Sequence, residues 1–186
     1  MSDNIITKKA YTVSMLRANI FVILWLPPVL LIIVLPYLLI WGTSSLSRLL
    51  EPTQEGLGAL LALLLGGTIV RELLHGLTWQ IAGKLPRKAI KYSIHWKTLT
   101  PYAHCKIPIE IQTYRLGDAM PGLILGLLPA VLALLTGSGW LLAFGVIFTW
   151  GAGGDLLIIW LLRNVQPGAL IEDHPSEAGC YVVLRE

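Results

Sequence analysis

The apolar positions of this chain fall in four long runs, not in the short alternating or half-apolar stripes of a water-soluble fold. Residues 21–41 hold no charged side chain, and residues 57–83, 119–135 and 140–162 are nearly as apolar. A helix needs roughly 20 apolar residues to cross the ~30 Å hydrocarbon core of a bilayer. The pattern therefore predicts four transmembrane helices, the third of them short. Pro27, Pro28 and Pro36 predict a kinked first helix, because proline lacks the N–H that a helical turn needs. That run also lies too far into the chain, and is too broken by proline, to be a cleaved signal. Thr136-Gly137-Ser138-Gly139 reads as a tight turn between the last two helices.

The stretch from 84 to 117 has a different pattern. Residues 89–96 partly alternate and are rich in β-branched and aromatic side chains. Residues 98–101 read as a turn, and residues 107–114 alternate again. This predicts a β-hairpin or small sheet against the membrane face, with Pro108 confining its strand to an edge. The expected fold class is an all-α membrane protein: four transmembrane helices with a small β-hairpin element between helices 2 and 3. A single membrane domain is expected over residues 1–186, with residues 163–186 as a cytoplasmic tail.

Composition supports the membrane reading. The chain is 55% hydrophobic and 13% charged, where a soluble domain carries roughly a quarter charged residues. Its mean hydropathy is +0.69. The net charge of +3 does not point to nucleic acid, because the basic side chains flank the apolar runs. Lys and Arg number 3, 1, 7, 0 and 2 through the N-terminal segment, the three connections and the tail. Basic residues gather on the cytoplasmic side, so both termini are expected in the cytoplasm after four crossings. Cys105 and Cys180 are too few for a disulfide framework, and on that side thiols stay reduced.

Ionisable groups inside a bilayer are costly and face the protein interior or a wet cavity. Four fall within the predicted helices: Arg71, Glu72, His75 and Asp155. Thr68, Arg71, Glu72, His75 and Trp79 share one side of helix 2. His75 lies eight residues, and Asp155 seven, before the cytoplasmic end of its run; at ~1.5 Å per residue the two share a depth. The small residues Gly151-Ala152-Gly153-Gly154 allow helix 4 to approach a neighbour closely there. Arg71-Glu72-Leu73-Leu74-His75 is one substitution from H-E-x-x-H, in which two histidines bind zinc and the glutamate activates metal-bound water. A metal-free cluster, with Arg71 paired to Glu72 or Asp155, fits the same residues. The plainer readings of the outer residues are loop packing for His104 and Cys105, and a docking turn for Asp173-His174-Pro175. Trp25, Trp41, Trp140 and Trp160 read as an interface belt.

Glu72-Leu73-Leu74-His75-Gly76-Leu77-Thr78-Trp79, then Pro101-Tyr102-Ala103-His104-Cys105-Lys106, Gly154-Asp155, Asp173-His174-Pro175 and Gly179-Cys180 together carry a resemblance. The sequence resembles the zincin peptidase family of bacterial membrane proteins over residues 59–184. That family is similar in arrangement to the site-2-type intramembrane metalloproteases. The resemblance implies a zinc-dependent peptidase scaffold in a bacterial cytoplasmic membrane, acting on a peptide or transmembrane segment near the cytoplasmic leaflet. It implies His75 as a zinc ligand, Glu72 as general base and Asp155 as third ligand. The chain departs from the pattern at Arg71, which stands where the first histidine belongs. A guanidinium has no lone pair to offer a metal, and catalytic zinc keeps three protein ligands. His104 or Cys105 would complete the set if its segment folds back. The expected function is thus a zinc hydrolase with a degenerate motif, or a pseudoprotease that binds membrane segments without cutting. A structural protein locked by a polar cluster is a third reading. The direction of the Arg71 side chain separates them.

Overall fold

The computed structural model describes residues 6–44, 54–95, 100–174 and 177–185. Among them are four helices long and apolar enough to cross a membrane: Met15–Trp41, Leu61–Ala82, Ile111–Thr136 and Gly139–Leu161. Large apolar side chains stand exposed along all four, among them Leu39, Leu65, Ile81 and Leu135, as contact with lipid requires.

Two of these spans carry the mark of their prolines. The first widens into a π-helical turn at Leu30–Val34, and the third does so at Gly122–Leu127. In each a proline follows closely, Pro36 and Pro129. A proline ring clashes with the carbonyl four residues back. The wider turn relieves it, and the preceding N–H bonds five residues back: Leu35 to Leu30, and Leu128 to Leu123.

The third span begins at Ile111, not at residue 119. Glu110 caps it, its carboxylate accepting from the N–H groups of Gln112 (2.7 Å) and Thr113 (3.1 Å). Ile111, Tyr114, Asp118 and Pro121 are buried at helical spacing. The expected strand over 107–114 is corrected accordingly: Ile109–Glu110 alone is strand, residues 111–114 are helix, and Ile107 and Pro108 belong to neither. The fourth span breaks at Ala152, between Gly139–Gly151 and Gly153–Leu161. Gly153 lets Trp25 approach; a Cβ there would lie 3.0 Å from its ring. Trp25 donates to the Thr149 carbonyl at 3.2 Å, so it packs between helices and does not belong to the interface belt.

There are two sheets. Strands β2 (Ile90–His95) and β3 (Thr100–Cys105) pair antiparallel between the second and third spans. Of the expected turn, residues 98 and 99 lie outside the described residues, while Thr100 and Pro101 belong to β3. The second sheet is four-stranded and antiparallel, in the order β1 (Ile6–Val13), β6 (Ala178–Arg185), β5 (Leu170–Asp173), β4 (Ile109–Glu110). The expectation of an all-α protein gives way to a mostly helical one with two small sheets. Strand β1 pairs with β6 from Ile6↔Arg185 to Val13↔Ala178, so both ends of the described chain lie on one side of the four helices. Two apolar cores result. One joins the ends of the second and third spans to both sheets, with Trp79, Ile90, Ile111, Leu162, Ile171 and Cys180. The other lies at the opposite end, around Val29, Tyr37, Ala133 and Leu142.

Candidate functional site

The second span carries Arg71, Glu72, His75 and Trp79 on one face, and the third and fourth spans close over them. Arg71 reaches across to the fourth span. Its Nη2 donates to both Asp155 oxygens, at 2.7 and 2.6 Å, and its Nη1 donates to Glu72 Oε1 at 2.6 Å. The other Glu72 oxygen accepts from the Ala103 N–H of β3 at 2.9 Å. All four oxygens of these two carboxylates are therefore engaged.

His75 is oriented from the third span. Its Nδ1 lies 3.0 Å from the Gly117 carbonyl. A carbonyl only accepts, so Nδ1 carries the proton and the neutral ring presents a lone pair at Nε2. That atom lies 3.7 Å from Asp155 Oδ2. Gly117 is required for this approach, since a Cβ there would lie 2.0 Å from Trp79 Nε1. Beside it, Asp118 is 4% exposed, with Oδ1 4.0 Å from His75 Nδ1 and Oδ2 without a hydrogen-bond partner. Three buried carboxylates thus share this region: Glu72 and Asp155 hold the guanidinium, and Asp118 lies beside His75.

The donor set does not fit a catalytic zinc. His75 Nε2 and Asp155 Oδ2 are spaced as two ligands could be around one ion with bonds of ~2.0–2.2 Å. Both Asp155 oxygens, however, already hold Arg71, whose guanidinium offers no lone pair. Among the described residues no three of His, Cys, Asp and Glu converge where a metal could sit. Neither His104 nor Cys105 folds back to complete the set. His104 Nδ1 lies 3.0 Å from Asp173 Oδ2, and Asp173 Oδ1 accepts from the Tyr114 hydroxyl at 2.7 Å. Cys105 is buried in the core beside the sheets. Burial pushes its thiol above the ordinary range, and burial together with Asp173 and Asp118 pushes that of Cys180 up to about 12. The thiolate is the metal-binding form, so both cysteines stand as packed thiols.

The outer motifs meet one another instead. Asp173 ties His104 of β3 to Tyr114 of the third span, and His174 Nδ1 accepts from the Glu177 N–H at 2.9 Å. Arg115 anchors the start of the third span to the end of the fourth by donating to the carbonyls of Leu162 and Val165. Sequence reasoning missed Asp118 and Tyr114 as parts of this framework, and read Asp173 as part of a docking turn without its partners His104 and Tyr114. The buried spacing of Ile111, Tyr114 and Asp118, directly after an acidic cap, is the signal that could have found the first two. An open cavity of about 460 Å³ adjoins Glu72, walled by Ile69, Leu73, Tyr92, Ile94 and Tyr102.

Comparison with curated proteins and with solved structures finds no match. A family model described as "putative zincin peptidase" matches residues 64–170, more than half of the chain. That stretch holds the whole buried cluster from Arg71 to Asp155, and the chain belongs to this family.

Proposed function

We propose that this protein is a non-hydrolytic zincin-family scaffold that holds membrane segments or partners near the cytoplasmic leaflet without cleaving them. The Arg71 guanidinium supplies the positive charge that a metal ion supplies in a working zincin. The observation that carries this reading is the fork of Arg71 onto Glu72 and Asp155. A glutamate that serves as general base needs a free oxygen near the water it activates. Both Glu72 oxygens are instead occupied, by Arg71 and by Ala103. A fixed positive charge among the ligands also repels a dication, and does so strongly in a low-dielectric interior. The apolar cavity beside Glu72 supports the binding half of the reading, and the basic connections support the cytoplasmic placement.

One observation favours the alternative, a zinc hydrolase acting on membrane segments: the 3.7 Å spacing of His75 and Asp155. Metal analysis of the purified protein separates the two. Wild type is expected to hold far less than one zinc per chain. Arg71→His restores three ligands and is expected to raise zinc toward one per chain, and adding His75→Ala is expected to remove it. Stoichiometric zinc in wild type, with cleavage of membrane peptides that Glu72→Gln abolishes, would overturn the proposal.

A further inference from the structure

A second cavity, of about 200 Å³, lies between the third and fourth spans, on the far side of Asp118 from His75. Its floor is small: Ala119, Gly122 and Ala152. Its rim is Leu123, Leu127 and Leu156, which are 45%, 49% and 37% exposed and face outward as lipid-contacting residues do. Two polar side chains also line it, Asp118 and Thr149. Asp118 Oδ2 and Thr149 Oγ1 are both buried, and neither has a hydrogen-bond partner. Two orphaned polar atoms along one apolar groove are unusual, because each leaves the cost of its desolvation unrecovered. The third span is at its π-helical turn along this groove, a feature that recurs at functional sites.

From these observations we infer that the groove between the third and fourth spans docks a transmembrane helix of a partner protein. That helix carries a hydrogen-bonding side chain, of the asparagine or serine class, opposite Asp118 and Thr149. Depth selects a helix over a lipid headgroup. Asp118 is seven residues beyond Ile111, and Thr149 twelve before Leu161. At ~1.5 Å per residue the groove lies about 10–18 Å from those helix ends, along the apolar middle of both helices. Chemistry selects a hydrogen-bonding side chain, since Asp118 Oδ2 and Thr149 Oγ1 both line the groove without a partner. The floor selects close approach, as small residues do wherever membrane helices pack. The inference deepens the reading of the protein as a holder of membrane segments and rests on that reading.

The test uses the full chain in phosphatidylcholine vesicles. The probes are two leucine-rich, lysine-flanked transmembrane peptides with a terminal dansyl group, one with a single central asparagine and one without. Energy transfer from the protein's tryptophans reports association. The asparagine peptide is expected to bind about 3- to 30-fold more tightly than its all-leucine control, the span of one interhelical hydrogen bond in a membrane. Thr149→Val removes one orphan, and Leu123→Trp fills the groove from its lipid side; each is expected to reduce the preference, the second to about one. Both changes leave the Arg71 cluster untouched, and thermal melting checks that both variants fold. Equal binding of the two peptides to wild type, or a preference that survives both substitutions, would overturn the inference. Zinc content and cleavage are read separately, so a protein that proved to be a zinc hydrolase could still show the preference, and a zinc-free one could lack it.

Discussion

One guanidinium pairs with two carboxylates that burial would otherwise leave without a counter-charge. Removing one partner of a buried ion pair costs more than the pair itself contributes. Arg71→Leu is therefore expected to destabilise the protein by about 3–5 kcal/mol, read as a lower melting temperature in detergent. Arg71→Leu combined with Asp155→Asn should recover part of that loss, because one of the two stranded carboxylates is gone; strict additivity of the two changes would refute the pairing. A second residue-scale expectation concerns Cys180. Its folded thiol titrates near 12 against an ordinary 9.0, so burial of the neutral form contributes stability that is whole below pH 9 and lost as pH climbs toward 12. Wild type should lose stability over that window more steeply than Cys180→Ala, and equal slopes would contradict it. Glu72, His75 and Asp155 were legible in the sequence because helical spacing and matched depth are local properties. Asp118 was not. The apolar run placed the helix start one residue beyond it, so it read as part of a polar connection. Nothing local shows that Tyr114 and His104 share Asp173, since that link joins three separate elements.

Two glycines set how closely neighbouring elements meet. At Gly117 a methyl group would lie 2.0 Å from Trp79 Nε1, between the second and third spans. Gly117→Ala should cost about 1–3 kcal/mol by overpacking. It should also shift the carbonyl that orients His75, visible as a changed imidazole resonance by NMR. At Gly179 the backbone has φ +135° and a Cβ would lie 2.1 Å from the Tyr11 carbonyl oxygen. Gly179→Val should therefore loosen β1 from β6, speeding amide exchange along residues 6–13 while the spans stay protected; unchanged exchange would count against this contact. The four helices were legible from apolar length, and the kinks from proline. The start of the third span was misread because Ile107-Pro108-Ile109-Glu110-Ile111 alternates like a strand. Alternation over so few residues yields to a cap that satisfies two free N–H groups at once. Strand β1 was hidden by its own lysines, Lys8 and Lys9, which read as the basic flank of the first span. In the structure Lys8 pairs with Glu172 at 2.6 Å.

Across the whole molecule, the pairing of β1 with β6 requires an even number of crossings. Reporters fused at the two ends are expected on the same side, and one placed at Gly137 on the other. We propose from the basic connections that the shared side is the cytoplasmic one, and a reporter at Gly137 that reads as cytoplasmic would refute the arrangement. The length and apolarity of the four helices were legible because hydropathy sums over long windows. The four-stranded sheet was not, because a pairing such as Ile6 with Arg185 leaves no trace in either neighbourhood. The same pairing orders the protein's biogenesis. Strand β1 precedes the four helices in sequence and its partner β6 follows them, so the two meet only after every span has been threaded. Until then its backbone is an open edge, able to pair with any stray strand, and its lysines are the residues that discourage such mispairing. A translation product halted before Ala178 would sit in the membrane with the β6-facing edge of β1 still open, a mark by which quality-control proteases could tell it from one whose sheet has closed.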